Sequence, residues 1–193
     1  MGIGRCRMIT DFCKYQIPEQ MLTVIFVLIL VARFYTVVIS AKNEKIVRRK
    51  GGIEFGALNT LILISCHFLY YGACITEGLN KAGHHDILSW AGLILYATSI
   101  FVLYYIICQI SYIWTVKLII APRNIHIINK SFLFKYFRHP NYYLSIIPEM
   151  IGIAMVFHSW YVLAIGLPLY LIPLITRIIQ EERVMKFMFE DYL

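Results

Sequence analysis

Long apolar runs separated by short polar stretches dominate the pattern of hydrophobic and polar positions. Three runs of about membrane length occupy residues 21–40, 57–76 and 87–110, and two shorter runs occupy residues 142–157 and 160–176. A helix needs roughly 20 consecutive, mostly apolar residues to cross the hydrocarbon core of a bilayer. The pattern therefore predicts an all-α integral membrane protein with about five transmembrane segments.

The last two apolar runs are separated only by His158 and Ser159. Helices joined by so short a connection pack as antiparallel neighbours, so we expect a tight helical hairpin whose turn stops short of the far headgroups. Pro148, Pro168 and Pro173 would kink it, which membrane helices tolerate where neighbouring helices satisfy the freed backbone groups. Beyond the hairpin, the charged residues 177–193 predict a helical tail.

Composition agrees with a membrane protein. Of the 193 residues, 60% are hydrophobic and 15% are charged, whereas a soluble domain is usually about 45–50% apolar and about 25% charged. Little mass is left outside the bilayer, so any active site must be built from loops and helix ends at the membrane face. No repeat or low-complexity tract divides the chain, and residues 1–193 are predicted to form one membrane domain.

The net charge of +7 indicates membrane headgroups and topology rather than a nucleic-acid partner, because the basic residues flank apolar runs. With five segments, thirteen lysines and arginines share one side of the membrane and four lie on the other. Cytoplasmic loops carry the excess of positive charge, so the richer side is predicted to be cytoplasmic. Its basic residues are Lys42, Lys45, Arg48, Arg49, Lys50, Lys117, Arg123, Lys130, Lys135, Arg138, Arg177, Arg183 and Lys186.

Neither the cysteines nor the paired histidines are spaced as metal ligands. The five cysteines show no C-x-x-C pair, and no carboxylate or cysteine cluster accompanies His84 and His85. Zinc sites usually show such short paired spacings. We therefore expect neither a metal site nor a disulfide scaffold.

Three ionisable residues, Arg33, His67 and Glu149, lie inside apolar runs. Such residues are costly in a bilayer and indicate a functional site by default. Arg33 lies near the end of its run, so we expect its guanidinium to snorkel to the interface. His67 either bonds a neighbouring helix or lines a substrate pocket, and Glu149 either bonds a neighbouring helix or has a catalytic role.

Two polar clusters flank the predicted hairpin, at residues 135–143 and 177–182. The proline after His139 disfavours helical geometry there, and Arg177 and Glu181 are four residues apart, which places them on one helical face. The hairpin returns the second cluster to the membrane surface of the first. Positive, negative and aromatic groups converging there suit a zwitterionic, adenine-bearing ligand and a lipophilic co-substrate. Two interfacial ion-pair belts without a ligand are the alternative.

The run HIINKSFLFKYFRHPNY, from His126 to Tyr142, is followed after the predicted hairpin by Arg-x-x-x-Glu-Glu, starting at Arg177. This pattern resembles the isoprenylcysteine carboxyl methyltransferase family, integral membrane enzymes that use S-adenosylmethionine. The resemblance implies that residues 112–193 form a methyltransferase-like part. The three N-terminal spans, residues 21–110, would then form the scaffold or substrate side.

The resemblance also implies roles for single residues. Those expected to bind the cofactor are His126, Ile127, Ile128, Phe134, His139, Pro140, Tyr142 and Glu181. Phe134 stands where the family usually has tyrosine, so a hydroxyl contact is lost there and stacking remains. Arg177 is expected to face the acceptor's oxygen. The candidate catalytic residues are Arg177, His139 and Glu149.

Further residues are similar to a bacterial branch of the family, some members of which methylate hydroxyls of long-chain phenolic or pyrone lipids. They are Asn43-Glu44, Gly52-x-Glu54-x-Gly56, His67 and Glu77, with Glu149 in the hairpin. This similarity implies a multi-pass protein of the bacterial inner membrane, with membrane lipids around it and a lipophilic or lipidated substrate.

The reaction implied is transfer of a methyl group from S-adenosylmethionine to an oxygen, carboxylate or hydroxyl, of a lipophilic acceptor. A carboxylate needs no base at neutral pH, whereas a phenol or enol needs one, for which His139 and Glu149 are candidates. A phospholipid amine is an alternative acceptor, because phospholipid methyltransferases share a similar C-terminal pattern. A small transporter or scaffold is the non-enzymatic alternative. Transporters tend to place polar groups near the midplane, whereas this chain concentrates charge on one face.

Overall fold

A computed structural model describes residues 19–80, 86–122 and 139–188, and over these ranges the chain is mostly helical. Four helices are long and apolar enough to cross a membrane, and a shorter apolar helix occupies Asn141–Val156. The predicted all-α membrane fold is confirmed. The long elements are α1 (Glu19–Arg49), α2 (Ala57–Asn80), α3 (Ile87–Ile110), α4 (Ile147–Val156) and α5 (Leu167–Met188).

The first helix continues well past Ser40, where the predicted span ends. It runs to Arg49 because the polar residues after the span still favour a helix, and Glu44 pairs with Arg48 at 2.9 Å one turn along. The helix stops at Gly51, whose φ of 87° is a left-handed conformation that glycine adopts without a steric penalty. Much of the polar stretch that follows the predicted span is therefore helical.

Two short strands pair at one end of the helix bundle, and the hydrophobic pattern does not predict them. Strand β1 (Ile53–Phe55) lies antiparallel to β2 (Leu118–Ile120), with Ile53 opposite Ile120. Lys117, next to β2, donates a 2.8 Å hydrogen bond to Glu44 on α1. The loops after α1 and after α3 thus meet at one end, which we call the sheet end of the bundle.

The predicted hairpin is confirmed. Its first arm begins with a π-helical segment, Asn141–Ile146, and continues as α4. Its second arm begins with a π-helical segment, Val162–Gly166, and continues as α5 to Met188. The predicted charged tail is therefore, as far as residue 188, a direct extension of the second arm.

The hairpin turn reaches the end of the bundle opposite the sheet. His158, with a φ of 52° in the turn, places Nε2 3.2 Å from Oδ1 of Asp86, which precedes α3. Glu77, near the end of α2, accepts a 3.0 Å hydrogen bond from the backbone N–H of Val162. The turn extends as far as the ends of α2 and α3, so the expectation of a hairpin that stops short is wrong.

Two glycines let the first arm cross α3 in backbone contact. A Cβ atom placed on Gly92 would lie 2.8 Å from the carbonyl oxygen of Gly152, and one on Gly152 would lie 2.8 Å from the backbone nitrogen of Tyr96. Small residues at such crossings allow close van der Waals packing between membrane helices. The crossing fixes the first arm, and the site at its start, against the N-terminal spans.

Candidate active site

The candidate site lies where the first arm of the hairpin begins. His139 occupies a non-helical bend, as predicted from the proline that follows it, and only 5% of the residue is exposed. Its carbonyl oxygen accepts hydrogen bonds from the N–H groups of Tyr142 at 3.1 Å and Tyr143 at 3.3 Å. These bonds cap the first turn of the arm and fix the imidazole at its entrance.

Glu181, on the second arm, meets this entrance. The Tyr142 hydroxyl donates a 2.6 Å hydrogen bond to Oε2 of Glu181. The imidazole of His139 stacks on the Tyr142 ring at 5.7 Å and places Nδ1 3.7 Å from Oε1 of Glu181. Its Nε2 lies 3.4 Å from Oε1 of Glu182. The structure thus brings together three of the predicted residues, and Glu182 joins them.

Two carboxylates set the protonation of His139. Burial alone would lower the pKa of its imidazolium, but Glu181 and Glu182 outweigh this and raise the pKa above its ordinary value. Nδ1 is buried and has no hydrogen-bond partner within the part of the chain that the structure describes. The two carboxylates therefore favour the protonated imidazole, and Nδ1 faces Oε1 of Glu181 from 3.7 Å, beyond hydrogen-bond distance.

Arg177 is buried one turn before Glu181 on α5, with 4% of the residue exposed. Its Nη1 donates a 2.8 Å hydrogen bond to the hydroxyl of Thr60 on α2, and its Nη2 donates a 3.0 Å bond to the carbonyl oxygen of Val116. Its Nε is buried without a partner among the described residues. The charge of Arg177 acts on both Tyr142 and Glu181. Arg177, Tyr142, Glu181 and His139 therefore interact electrostatically with one another.

Glu149 lies deeper in the first arm, fully buried inside the bundle. Its Oε1 accepts a 2.6 Å hydrogen bond from Nε of Arg33 on α1 and a 2.5 Å bond from the Tyr71 hydroxyl on α2. Nε2 of His67 lies 3.4 Å from the same oxygen. Arg33 turns inward to this carboxylate, so the prediction that it snorkels to the interface is wrong.

His67 bonds neighbouring helices, which was one of its two predicted roles. Nδ1 lies 3.1 Å from the Tyr170 hydroxyl on α5, and Nε2 lies 3.3 Å from Nη2 of Arg33. Nε2 thus lies close to both the guanidinium of Arg33 and Oε1 of Glu149. His67 therefore links α1, α2 and α5 around Glu149.

Four predicted cofactor residues, His126, Ile127, Ile128 and Phe134, lie outside the described residues, and their roles stay predictions. Within the described ranges, no three His, Cys, Asp or Glu side chains gather as metal ligands. The described site therefore offers charge, hydrogen bonds and ring stacking.

Sequence reasoning missed the partners of the predicted residues. The Arg33–Glu149 pair carried a signal, because two opposite charges inside apolar runs are each costly unless they meet. Tyr71 and Thr60 carried none, since a hydroxyl in a span has many possible partners.

Comparison with known proteins adds an independent observation. The model of the isoprenylcysteine carboxyl methyltransferase family matches residues 90–187, about half of the chain. The chain belongs to the isoprenylcysteine carboxyl methyltransferase family. The resemblance in the sequence motif is confirmed, and the protein is a membrane methyltransferase of a family that acts on lipidated substrates. The family's methyl donor is S-adenosylmethionine.

Two bacterial relatives share nearly the full length of the chain. An uncharacterized protein of Haemophilus influenzae is 42% identical over 168 residues, which cover 87% of this chain and 96% of the relative. The uncharacterized protein YpbQ of Bacillus subtilis is 25% identical over 168 residues, which cover 86% and 97%. No solved structure matches the chain. The similarity to both relatives reaches beyond the part that the family model matches.

Proposed function

We propose that this family member transfers a methyl group from S-adenosylmethionine to an oxygen, carboxylate or hydroxyl, of a lipophilic acceptor in the membrane. The observation that carries the proposal is the cluster of His139, Tyr142 and Glu181, closed by the 2.6 Å bond between the two hairpin arms. It lies inside the stretch that the family model matches.

The described residues fit the methyl donor. S-adenosylmethionine carries an ammonium group, a carboxylate, ribose hydroxyls and an adenine ring, so its site must offer both signs of charge and an aromatic surface. Glu181 offers a carboxylate and the stacked pair of His139 and Tyr142 offers ring faces. Nδ1 of His139 and Nε of Arg177 are buried polar atoms without partners among the described residues, and buried polar atoms are rarely left unbonded.

When bound, S-adenosylmethionine supplies a methyl group on a positively charged sulfur, already activated for displacement. The residues of the chain therefore have to hold and orient the two reactants and to exclude water. We assign Glu181 to the positively charged amino end or the ribose, with His139, Pro140 and Tyr142 as a wall of the same site. Thr60 and Val116 hold Arg177, and we assign its free Nε to the acceptor's oxygen.

The acceptor decides whether a base is needed. A carboxylate acceptor has no proton to lose at neutral pH, whereas a phenol or enol must lose one. His139 and Glu149 are the candidate bases for a hydroxyl acceptor. His139 lies at the entrance of the hairpin, and Glu149 is held in place by Arg33.

We propose that the sheet end faces the cytoplasm of a bacterial cell, with the protein in the inner membrane. Among the described residues of that end, Arg48, Arg49, Lys50 and Lys117 are basic, and cytoplasmic loops carry such an excess. The site at the entrance of the hairpin would then open to the cytoplasm and meet the acceptor from the bilayer.

The proposal is tested by methyl transfer to defined acceptors. Purified protein in lipid nanodiscs is incubated with S-adenosylmethionine labelled on the methyl group. The acceptors are a prenylated cysteine peptide, a long-chain phenol and phosphatidylethanolamine, each in a separate reaction. We expect label on a carboxylate or hydroxyl oxygen, and loss of transfer in His139→Ala and Glu181→Ala. Label on the amine alone, or transfer that survives both substitutions, would overturn the proposal.

A further inference from the structure

One face of the first arm carries buried polar atoms that have no hydrogen-bond partner within the described ranges. They are Oδ1 of Asn141, Oγ of Ser145 and Oε2 of Glu149. Successive members are four residues apart, so they follow one side of the helix. The first two lie in the π-helical segment, and such segments are frequent at functional sites. A native protein leaves few buried polar atoms unbonded. These three atoms, which we call the row, therefore need a hydrogen-bond partner.

The surroundings of Glu149 fix which oxygen is free. Arg33 and Tyr71 both bond Oε1, at 2.6 and 2.5 Å. Arg33 is itself tied by a 2.9 Å bond from Nη1 to the hydroxyl of Thr36. Helices α1 and α2 therefore hold the carboxylate in one orientation, and Oε2 is left without a hydrogen-bond partner among the described residues. Ser145, one turn earlier and fully buried, is the nearest member of the row toward the site entrance.

The chemistry of the row selects its ligand. An ionised carboxylate only accepts hydrogen bonds, and a serine hydroxyl can accept or donate. A ligand group that binds both must therefore donate a hydrogen bond. It must also carry no negative charge, because the nearby guanidinium is already engaged by Glu149. A hydroxyl or an amine meets both conditions, and a carboxylate meets neither.

The row leads from the entrance of the candidate site into the bundle. Tyr142 and Glu149 are seven residues apart, which is about 10 Å along a helix. Met150 and Ile146, on the same arm, are buried hydrophobic residues next to members of the row in the sequence. A lipophilic molecule whose polar head reached the row could keep its tail among apolar side chains.

We propose that Ser145 and Glu149 bind the polar head of the lipophilic methyl acceptor inside the bundle, and that this head, on an acceptor methylated at oxygen, is a hydroxyl rather than a carboxylate. Arg33 and Tyr71 act as positioning residues that hold Glu149. The inference rests on the proposed function, because it names the acceptor of that reaction and narrows it within the proposed range.

The test compares three probes with the same alkyl tail: an alkylphenol, an alkylamine and a fatty carboxylate. Their binding to the purified protein in nanodiscs is measured at neutral pH. We expect the phenol to bind at least about tenfold more tightly than the carboxylate, which corresponds to about 1.4 kcal/mol. Carboxylate binding equal to that of the phenol would overturn the inference. Binding of the amine alone would also overturn it, because it would indicate an amine acceptor.

Ser145→Ala separates binding from folding. The Ser145 hydroxyl has no partner among the described residues, so its removal should not lower the unfolding temperature, but it should weaken the favoured probe about fivefold. Ser99→Ala is the matched control, since this buried hydroxyl bonds the carbonyl of Tyr96 in its own helix at 2.7 Å, and should leave probe binding unchanged. Unchanged binding in Ser145→Ala, as expected if a water fills the row, would overturn the inference.

Binding of S-adenosylmethionine to the same samples distinguishes the two proposals. If wild type and Ser145→Ala bind the methyl donor equally, while the probes do not discriminate, the acceptor inference fails and the proposed function stands. If the folded wild-type protein does not bind the methyl donor, the proposed function fails, and with it the inference.

Discussion

Tyr142 donates a 2.6 Å hydrogen bond to Glu181, and these residues begin the first arm of the hairpin and approach the end of the second. The contact joins the two arms of the hairpin at the sheet end. It also ties a carboxylate to the stacked rings of His139 and Tyr142. The same hydrogen bond therefore joins the hairpin arms and brings the groups of the candidate site together.

Tyr142→Phe tests that contact. Loss of a hydrogen bond to a charged group is expected to lower the free energy of unfolding by about 2 kcal/mol. The affinity for S-adenosylmethionine should fall about tenfold, because Glu181 loses the group that orients it. Calorimetric titration and thermal unfolding measure the two effects. Tyr143→Phe, at a half-exposed neighbour, is the control, and equal behaviour of the two variants would contradict the account.

The buried pair of Arg33 and Glu149 predicts a strong coupling. Glu149→Gln or Arg33→Gln alone leaves one buried charge without its partner, which costs about 3–5 kcal/mol. The double substitution removes both charges and should cost clearly less than the sum of the single effects. Unfolding of all four proteins in one detergent gives the coupling energy. Additive losses would show that the ion pair does not form.

An exposed ion pair serves as the reference for the substitutions of Arg33 and Glu149. Arg48 bonds Glu44 at 2.9 Å, and its side chain is 43% exposed. Arg48→Gln should lower the free energy of unfolding far less than Arg33→Gln does, because solvent screens an exposed ion pair. A loss as large as that of Arg33→Gln would mean that exposure does not decide the strength of these pairs.

The crossing of α3 with the first arm predicts opposite effects for two glycines. Gly152→Ala places a methyl group 2.8 Å from the backbone nitrogen of Tyr96, so the helices must separate, at a cost of about 1–3 kcal/mol. In Gly72→Ala the new methyl group meets no atom within 4 Å, and the better helix former should stabilise by up to about 1 kcal/mol. Unfolding temperatures that change in the same direction would contradict the crossing.

His139 predicts a pH dependence of stability. Its pKa is raised in the folded protein, because Glu181 and Glu182 outweigh the effect of burial. Its contribution is then complete below the unfolded-state pKa of about 6.5 and is lost as the pH rises through the folded-state value. The stability advantage of wild type over His139→Gln should therefore shrink as the pH rises above about 6.5. Parallel unfolding curves across this range would contradict the assigned contacts.

The membrane spans could be predicted because each depends on a local apolar run. The extension of α1 to Arg49 and the pairing of Ile53 with Ile120 could not. Three-residue strands are too short to show a period, and their pairing depends on loops that are distant in the sequence. The same holds for the glycine crossing, since a glycine in a span has several possible causes.

Part of the predicted cluster could be located for a similar reason. The motif and the four-residue spacing of Arg177 and Glu181 predicted that these groups meet where the hairpin closes, and the structure joins His139, Tyr142 and Glu181 there. The contact between Arg33 and Glu149 spans 116 residues, and the register of α1 against the hairpin decides it. No local pattern reports that register.

Equilibrium binding of labelled S-adenosylmethionine to the purified protein tests the central claim most directly. The account predicts saturable binding by wild type and a loss of at least about tenfold in Glu181→Gln. Asp86→Asn should bind as wild type does, because Asp86 pairs with His158 at the opposite end of the bundle and asparagine keeps its helix cap. Absence of saturable binding by the folded wild-type protein, or unchanged binding in Glu181→Gln, would contradict the account.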